Sequence, residues 1–302
     1  MTTEAAQTNN GIAAQCSKSG VPLSWHRRCT QVAVHNDRTL PRDLVALSEE
    51  DVYRIVTGAF AVWEASSVGQ GIQVEVLSEP SDCNQAEYNQ NSGNMNTVIM
   101  VEDWDQRGYV INGQFLPYDP AAFAVTTAWH NATTGEIFDV DIEINEQRGP
   151  YVECGRSCAQ GGCVGEKDAK DRQVVDLSNV LTHEVGHYFG LDHTVLDPLD
   201  ADDERLATMW AKAPSGEVCK RILKEDDIQG LQAIYPETTL SGSCDFAPRG
   251  GASLICSTQV DTGCSCSVAS SSARSNGFVA LFAMVLLLWN RRRALRSVRA
   301  PV

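Results

Sequence analysis

The stretch from Leu181 to His193, which reads LTHEVGHYFGLDH, decides the fold of this chain. His183 and His187 are four residues apart, a spacing that places both imidazoles on one face of an α-helix, about one turn apart. Two neutral imidazoles on one face can share a tetrahedral zinc ion. Glu184 would lie beside that ion without binding it, where its carboxylate can take a proton from an attacking water. The pattern therefore predicts a helix that carries two metal ligands and a general base.

Gly190 and His193 complete this predicted site. Glycine adopts positive φ without strain, so Gly190 can end the helix and turn the chain back. His193 then arrives from outside the helix as a third ligand. Three protein ligands leave the fourth position of zinc to water, which is typical of a catalytic rather than a structural site. The alternative is a helix with three incidental histidines, but only six histidines occur in the whole chain and three of them lie here.

The complete H-E-x-x-H-x-x-G-x-x-H pattern resembles that of the metzincin metallopeptidases. A second mark of these enzymes is a methionine turn, which Ala207-Thr208-Met209-Trp210 supplies after the histidines. In the family this methionine lies beneath the zinc site. The alternative for Met209 is an ordinary core residue, since methionine is a common gap filler.

The resemblance is closest to the matrixin branch. Thr194, directly after the third histidine, resembles the Ser or Thr of matrixins, and the segment Leu223–Pro236 is similar to the last helix of their catalytic domains. The resemblance covers roughly Val21 to Pro236. It implies an α/β or α+β zincin fold, with a twisted, mostly parallel five-stranded sheet, three helices and a zinc cleft at the sheet edge.

A zinc metalloendopeptidase, a hydrolase of protein or peptide substrates, is the function that this resemblance implies. The substrate is expected to lie extended along Ala122–His130 as an added strand. Two other functions stay open: a catalytically silent surface binding or adhesion protein on the same fold, and a zinc amidase that acts on cell-wall peptide. The intact Glu184 argues against the silent protein, which would have no need of a base.

Periodicity places the other elements around the zinc helix, which is expected to start near Val175. Apolar or alternating stretches predict strands over Thr30–His35, Ile72–Leu77, Thr97–Glu102, Ala122–His130 and Glu136–Asn145. A capping box at Ser48–Asp51 predicts a helix to about Ala65, with an apolar stripe of Val52, Ile55, Val56, Ala59, Phe60 and Trp63. A last helix is expected over Glu225–Tyr235, and loops over Asp103–Pro120 and Gln147–Arg172.

Two acidic groups have two interpretations each. Asp139 and Asp141 alternate with apolar residues in the predicted strand Glu136–Asn145, which favours a solvated strand face. They could instead bind calcium, because carboxylate oxygens suit hard cations. Asp197, Asp200 and Asp202, before the methionine turn, are either calcium ligands or part of a solvated acidic loop. The His-x-Asp motif and second histidine that hold a structural zinc in matrixins are not evident.

Charge and cysteine content indicate which partners and which cellular compartment the protein can have. The formal net charge of −15 argues against nucleic-acid partners and suits an extracellular monomer. Eleven cysteines beside a peptidase motif indicate disulfides and an oxidising compartment. We expect Cys16–Cys29 and one pair within Cys154, Cys158 and Cys163. Residues 1–20 show no signal peptide, so an upstream export segment is expected.

Composition divides the chain into four parts. Residues 1–15 are predicted to be disordered, 16–236 to form the metallopeptidase domain, and 237–276 to be a Ser-, Gly- and Cys-rich linker that a disulfide could staple. In the tail, 277–302, thirteen apolar residues precede an arginine cluster; as a helix they span about 20 Å, less than the roughly 30 Å of a bilayer core.

The order of motifs in the tail resembles myxobacterial surface-sorting signals. Cys264 and Cys266 precede the apolar run, and the arginine cluster follows it. The resemblance implies processing and lipid attachment near these cysteines, with the membrane and the sorting machinery as partners of the tail. A plain C-terminal transmembrane helix is the alternative. In both cases the protein is expected to be exported and held at the cell surface.

Overall fold

A five-stranded sheet forms the centre of this computed structural model, which describes residues 21–35, 47–66, 71–111, 114–194, 207–236 and 244–257. The strands, in spatial order, are β2 (Gln73–Val76), β1 (Cys29–Val34), β3 (Asn96–Val101), β7 (Ile137–Asn145) and β6 (Ala124–His130). The first four run parallel, and β6 pairs antiparallel with β7 at the edge of the sheet. The predicted mostly parallel five-stranded sheet is therefore confirmed.

Three helices accompany the sheet within the described residues: α1 (Glu49–Ser66), α2 (Leu177–Tyr188) and α3 (Glu225–Ile234). At the start of α1 the Ser48 hydroxyl accepts from the Asp51 backbone N–H at 3.1 Å, and the Asp51 carboxylate accepts from the Ser48 N–H at 3.1 Å. This is the predicted capping box. The predicted apolar stripe of α1 is buried in full, in a core that also takes the apolar face of α2.

Two segments expected to be loops contain strands. The segment Asp103–Pro120 holds the antiparallel pair β4 (Gly108–Ile111) and β5 (Gln114–Pro117). The segment Gln147–Arg172 holds β8 (Tyr151–Val152), which pairs with β9 (Val175–Asp176) immediately before α2. The prediction of loops there was wrong. In the first segment the Asn112-Gly113 dipeptide between alternating residues is a hairpin signal that the aromatic and proline content obscured.

The acidic side of β7 is buried, so the prediction of a solvated strand face was wrong. Asp139 and Asp141 are 0% and 1% exposed. Asp141 accepts backbone N–H groups of Glu87 at 2.9 Å and Thr97 at 2.8 Å, and Glu143 accepts the Tyr118 hydroxyl at 2.8 Å. The segment before β3, β3 itself and Tyr118 after β5 thus supply partners for Asp141 and Glu143, because buried polar groups need partners.

Residues 244–257, which we call the C-terminal strap, lie against the domain. The disulfide Cys29–Cys244 joins the strap to β1, and Cys83–Cys256 joins it to the segment before β3. Backbone hydrogen bonds follow the same path: the Asn94 N–H donates to Gly251 O at 2.9 Å, and the Asp82 N–H donates to Leu254 O at 2.8 Å. Part of the range 237–276 is therefore bound to the domain.

Two further disulfides lie on either side of α2. Cys154–Cys163 closes a loop in the segment before this helix, and Cys158–Cys219 joins that segment to the chain after the helix. The expected pair within Cys154, Cys158 and Cys163 is confirmed. The expected pair Cys16–Cys29 was wrong, because Cys29 bonds to Cys244 instead, a cysteine 215 positions away along the chain. The four disulfides among the described residues are consistent with an extracellular protein.

The predictions about the membrane concern residues outside the ranges that the structure describes. No helix of the described ranges has the length and apolar character needed to cross a bilayer. The tail 277–302, Cys264, Cys266, Cys16 and residues 1–15 all lie outside the described residues.

Candidate active site

Helix α2 presents His183 and His187 on one face, as their spacing predicts. Asp176 caps the start of the helix, since its carboxylate accepts the Asn179 backbone N–H at 2.7 Å. It ends just before Gly190, which has a φ of +92°. A side chain there would meet the backbone of Leu23, so only glycine fits the turn.

The turn at Gly190 brings His193 back to the helix. Its Nε2 lies 3.2 Å from the Nε2 atoms of both His183 and His187. A tetrahedral zinc ion with Zn–N bonds of 2.0–2.1 Å would hold its nitrogen ligands about 3.3 Å apart. The three imidazoles, predicted from sequence, are therefore brought together at the spacing that zinc requires.

Backbone carbonyls orient two of the three rings. The Nδ1 of His183 lies 2.6 Å from Thr208 O, and the Nδ1 of His187 lies 2.7 Å from Leu191 O. A carbonyl oxygen only accepts, so each Nδ1 carries a proton and each Nε2 presents its lone pair to the centre.

All three imidazoles need to be neutral to bind a metal ion. Burial, followed by the Lys220 charge and the two other rings, holds the pKa of His183 well below its ordinary value. Burial, with the charges of His187 and Lys220, lowers the pKa of His193 to about 3. The donor set therefore fits zinc in chemistry as well as in spacing.

Glu184 is 6% exposed and lies beside the three rings. Like them, it lines a cleft in the protein surface. Burial raises the pKa of its carboxyl, while the charge of His187 and a hydrogen bond from Thr126 lower it. The Thr126 hydroxyl donates to Glu184 Oε2 at 2.6 Å. A raised pKa makes the Glu184 carboxylate a stronger base, which suits it to take a proton from a water held at the three imidazoles.

The turn at Thr208 and Met209 lies directly under the histidines. Met209 is 2% exposed, and its sulfur occupies the space where a side chain on Gly186 would lie. Asp227, in the first turn of α3, accepts the backbone N–H groups of Thr208 and Met209, each at 2.9 Å. Helix α3 therefore fixes the carbonyl that orients His183.

Lys220 is a buried cation on the same side of the site. It is 3% exposed and lines the cleft, and its Nζ donates to Thr208 O at 3.1 Å and to Trp210 O. Thr208 O therefore accepts from both Lys220 and His183. Burial lowers the pKa of Lys220 to about 8, although the carboxylates of Glu217, Asp227 and Glu184 act to raise it.

A cleft of about 470 Å³ runs past the three histidines. One wall is the edge strand β6 with the preceding residues, and Tyr109 of β4 lies beside it. The opposite wall is formed by α2 and the segment Trp210–Ala213. The outer edge of β6 pairs with no strand of the described residues, and this edge strand lies along the cleft.

Two of the predicted calcium residues, Asp139 and Asp141, do not line this cleft. Asp139 and Asp141 face the other side of the sheet, and Asp197, Asp200 and Asp202 lie outside the described residues. Among the described residues neither oxygen of Asp139 accepts a hydrogen bond. Burial, with the neighbouring Glu87 charge, raises the pKa of Asp139 well above its ordinary value. Calcium binding stays a prediction.

Sequence reasoning missed three residues of the site: Thr126, Lys220 and Asp227. Each acts through tertiary contacts with residues that are far away in the sequence. Only Asp227 had a local signal, as an acidic residue in the first turn of a predicted helix.

Comparison with protein-family models gives a match over most of the chain. The family model described as matrixin, of the M10 peptidases, matches residues 34–236, more than half of the chain. The matched range contains the three histidines, Glu184 and the Thr208–Met209 turn. No protein of curated function matches the sequence.

Proposed function

This chain belongs to the matrixin family, and from that premise we propose that it is a zinc endopeptidase of protein or peptide chains. The observation that carries the proposal is that the His193 Nε2 lies 3.2 Å from the Nε2 atoms of both His183 and His187, in a cleft that the buried Glu184 also lines. His183, His187 and His193 are the proposed zinc ligands. Glu184 is the proposed base.

Zinc, when bound, would lower the pKa of an attacking water and polarise the scissile carbonyl. Glu184 takes the proton from that water and passes it to the leaving amine, so that the carboxylate is regenerated. The carbonyls of Thr208 and Leu191 keep the Nδ1 protons of two ligands in place throughout. Met209 supports the site from beneath.

The substrate is proposed to extend along β6. β6 is the edge strand of the sheet and lines the cleft with the three histidines, and a peptide paired with it would have its own backbone satisfied. Such pairing reads the main chain rather than particular side chains, which suits an endopeptidase of extended polypeptides.

We propose further that the enzyme acts outside the cell as a monomer and is held at the cell surface by its tail. The four disulfides support an oxidising location. Cys264 and Cys266 are the proposed sites of sorting or lipid attachment.

Cleavage of casein by the full chain, produced under oxidising conditions, tests the function. The strap has to be included because two disulfides bind it to the domain. Cleavage that a chelator abolishes and added zinc restores would support a zinc peptidase. With one zinc confirmed per chain, inert casein and cleaved cell-wall peptide would replace this proposal with the amidase. No cleavage of either substrate would favour the silent binding protein.

A further inference from the structure

Thr126 lies in the middle of β6, opposite Ile142 of β7. Its side chain is 7% exposed and points towards α2. The register with β7 fixes its backbone, and its branched Cβ restricts χ1. Thr126 is therefore a rigid donor on the wall of the cleft.

The hydroxyl of Thr126 meets Glu184 twice. It lies 2.6 Å from Oε2 and 3.4 Å from the backbone oxygen of the same residue. A hydroxyl has a single proton, so the shorter contact defines the hydrogen bond, and an ionised acceptor strengthens it. Among the described residues this is the only hydrogen bond that the Glu184 carboxylate accepts.

The hydrogen bond from Thr126 restricts the orientation of the Glu184 carboxylate. Glu184 has three side-chain torsions, and the last of them has a broad, weakly defined minimum. Without a partner, the carboxylate could rotate within the cleft. With Oε2 held by Thr126, the other oxygen is left to exchange the proton with water and with the leaving amine.

We propose that Thr126 is a positioning residue that holds the Glu184 carboxylate relative to the substrate. The inference rests on the proposed peptidase function. Thr126 belongs to the strand along which the peptide is proposed to bind, so one residue links the substrate-binding edge to the base. The distance from the base to the scissile bond is then set through β6 rather than through α2 alone.

Thr127 provides a matched control on the same strand. It is 5% exposed, directly follows Thr126 and faces the opposite side of the sheet, where it pairs in register with Asp141. It does not line the cleft. Replacing either threonine with valine keeps the shape of the side chain and removes one hydroxyl. T126V removes it from the face towards α2, and T127V removes it from the opposite face of the sheet.

The experiment compares T126V, T126S and T127V in the full chain with zinc bound. Misplacing a catalytic group can lower a rate by about 100-fold. We expect T126V to lower kcat by 10- to 100-fold with KM within about twofold, since the lost interaction acts in the transition state. T126S, which keeps the donor, should stay within about threefold of the wild type. T127V measures the loss that removing a hydroxyl from the opposite face of β6 causes by itself, and the loss in T126V should exceed it at least tenfold.

A second readout does not depend on activity. The melting temperature of the zinc-free protein is measured for T126V, E184A and the double variant. If the hydroxyl acts through the carboxylate, T126V lowers the melting temperature of the chain with Glu184 and has a smaller effect in the E184A background. Zinc content, measured in parallel, should be one per chain in T126V and T127V.

Three results would overturn the proposal: an unchanged kcat in T126V, an equal loss in T127V, or no recovery in T126S. An inactive wild type would instead refute the proposed function. In that case the melting temperatures still test the contact. If the effects of T126V and E184A add up in the double variant, the proposed interaction between Thr126 and Glu184 is overturned; if they do not add up, it is supported.

Discussion

At the scale of single residues, Glu184 is the side chain whose removal separates metal binding from catalysis. Glutamine has the same shape and can still accept from Thr126, but it cannot take a proton. E184Q should therefore keep one zinc per chain and lose about 10²- to 10⁴-fold in kcat/KM. Peptide cleavage with metal analysis on the same sample checks this, and wild-type cleavage by a zinc-loaded E184Q would exclude Glu184 as the base.

Lys220 makes a prediction about pH. Its pKa is lowered to about 8 in the folded protein, against 10.5 for an ordinary lysine, because burial disfavours the ammonium. Between these values the unfolded chain binds more protons than the folded one, so the free energy of unfolding rises as pH increases through the window. Below pH 8 Lys220 is charged in both states, so the cost of burying its ammonium lowers the free energy of unfolding in full.

Denaturant unfolding of the zinc-free protein at pH 7.5 and 10 measures this rise. The charges facing Lys220 come from Glu217, Asp227 and Glu184, and they act to raise its pKa and so to reduce the effect. In K220M the free energy of unfolding should rise less between pH 7.5 and 10, because the contribution of Lys220 is absent. K212M, which changes an exposed lysine nearby, should keep the wild-type rise; a K220M profile equal to that of K212M would contradict the pKa assigned to Lys220.

Much of the site could be predicted at this scale, because ligand spacing on a helix is a local property. His183, Glu184 and His187 are within five residues of one another, and the glycine turn that returns His193 follows at once. Thr126 could not be predicted. It lies 58 residues before Glu184, and a threonine in a strand has no local pattern that marks it as the partner of a carboxylate.

At the scale of elements, two helix glycines with opposite surroundings test how α2 is packed. Gly186 has Trp63 Cζ2 at 2.7 Å from the position of an added Cβ, and the Met209 sulfur closer still. Gly58, in α1, has nothing within 4 Å of that position. The same substitution should therefore have opposite effects in the two helices.

G58A should stabilise the protein by up to about 1 kcal/mol, since alanine is the better helix former. G186A should destabilise it by about 1–3 kcal/mol through overpacking, and it should weaken zinc binding because the Thr208–Met209 turn has to move. Urea unfolding and zinc competition measure both effects. Equal stabilisation by the two variants would show that the Met209 sulfur does not pack against Gly186.

The bounds of the five central strands and of the three helices could be predicted to within about two residues, since period and capping are local properties. The short strands β4, β5, β8 and β9 were not predicted. The acidic side of β7 shows where this ends. Its alternating pattern is the same for a solvated face and for a face covered by a polar segment. The burial of Asp141 depends on Glu87, which is 54 residues away.

At the scale of the whole molecule, the fold class could be predicted because the histidine motif and methionine turn are specific to one superfamily. The covalent framework could not, because cysteine positions alone allow many pairings. The partner of Cys29 lies in the strap, beyond the range that the family model matches. Geometry, rather than spacing, decides such a pair.

The bond between Cys29 and Cys244 makes the intervening chain a closed covalent loop. A peptidase at high concentration meets other copies of itself, and a copy nicked once within this loop keeps both pieces tethered. Its mass and its migration as a single species would stay nearly unchanged until a reductant is added. Apparent homogeneity on a non-reducing gel is therefore a poor measure of autolysis for this enzyme. After prolonged incubation with zinc we expect fragments under reducing conditions alone, and C29A/C244A should release a piece without reductant when the nick lies between Cys29 and Cys83.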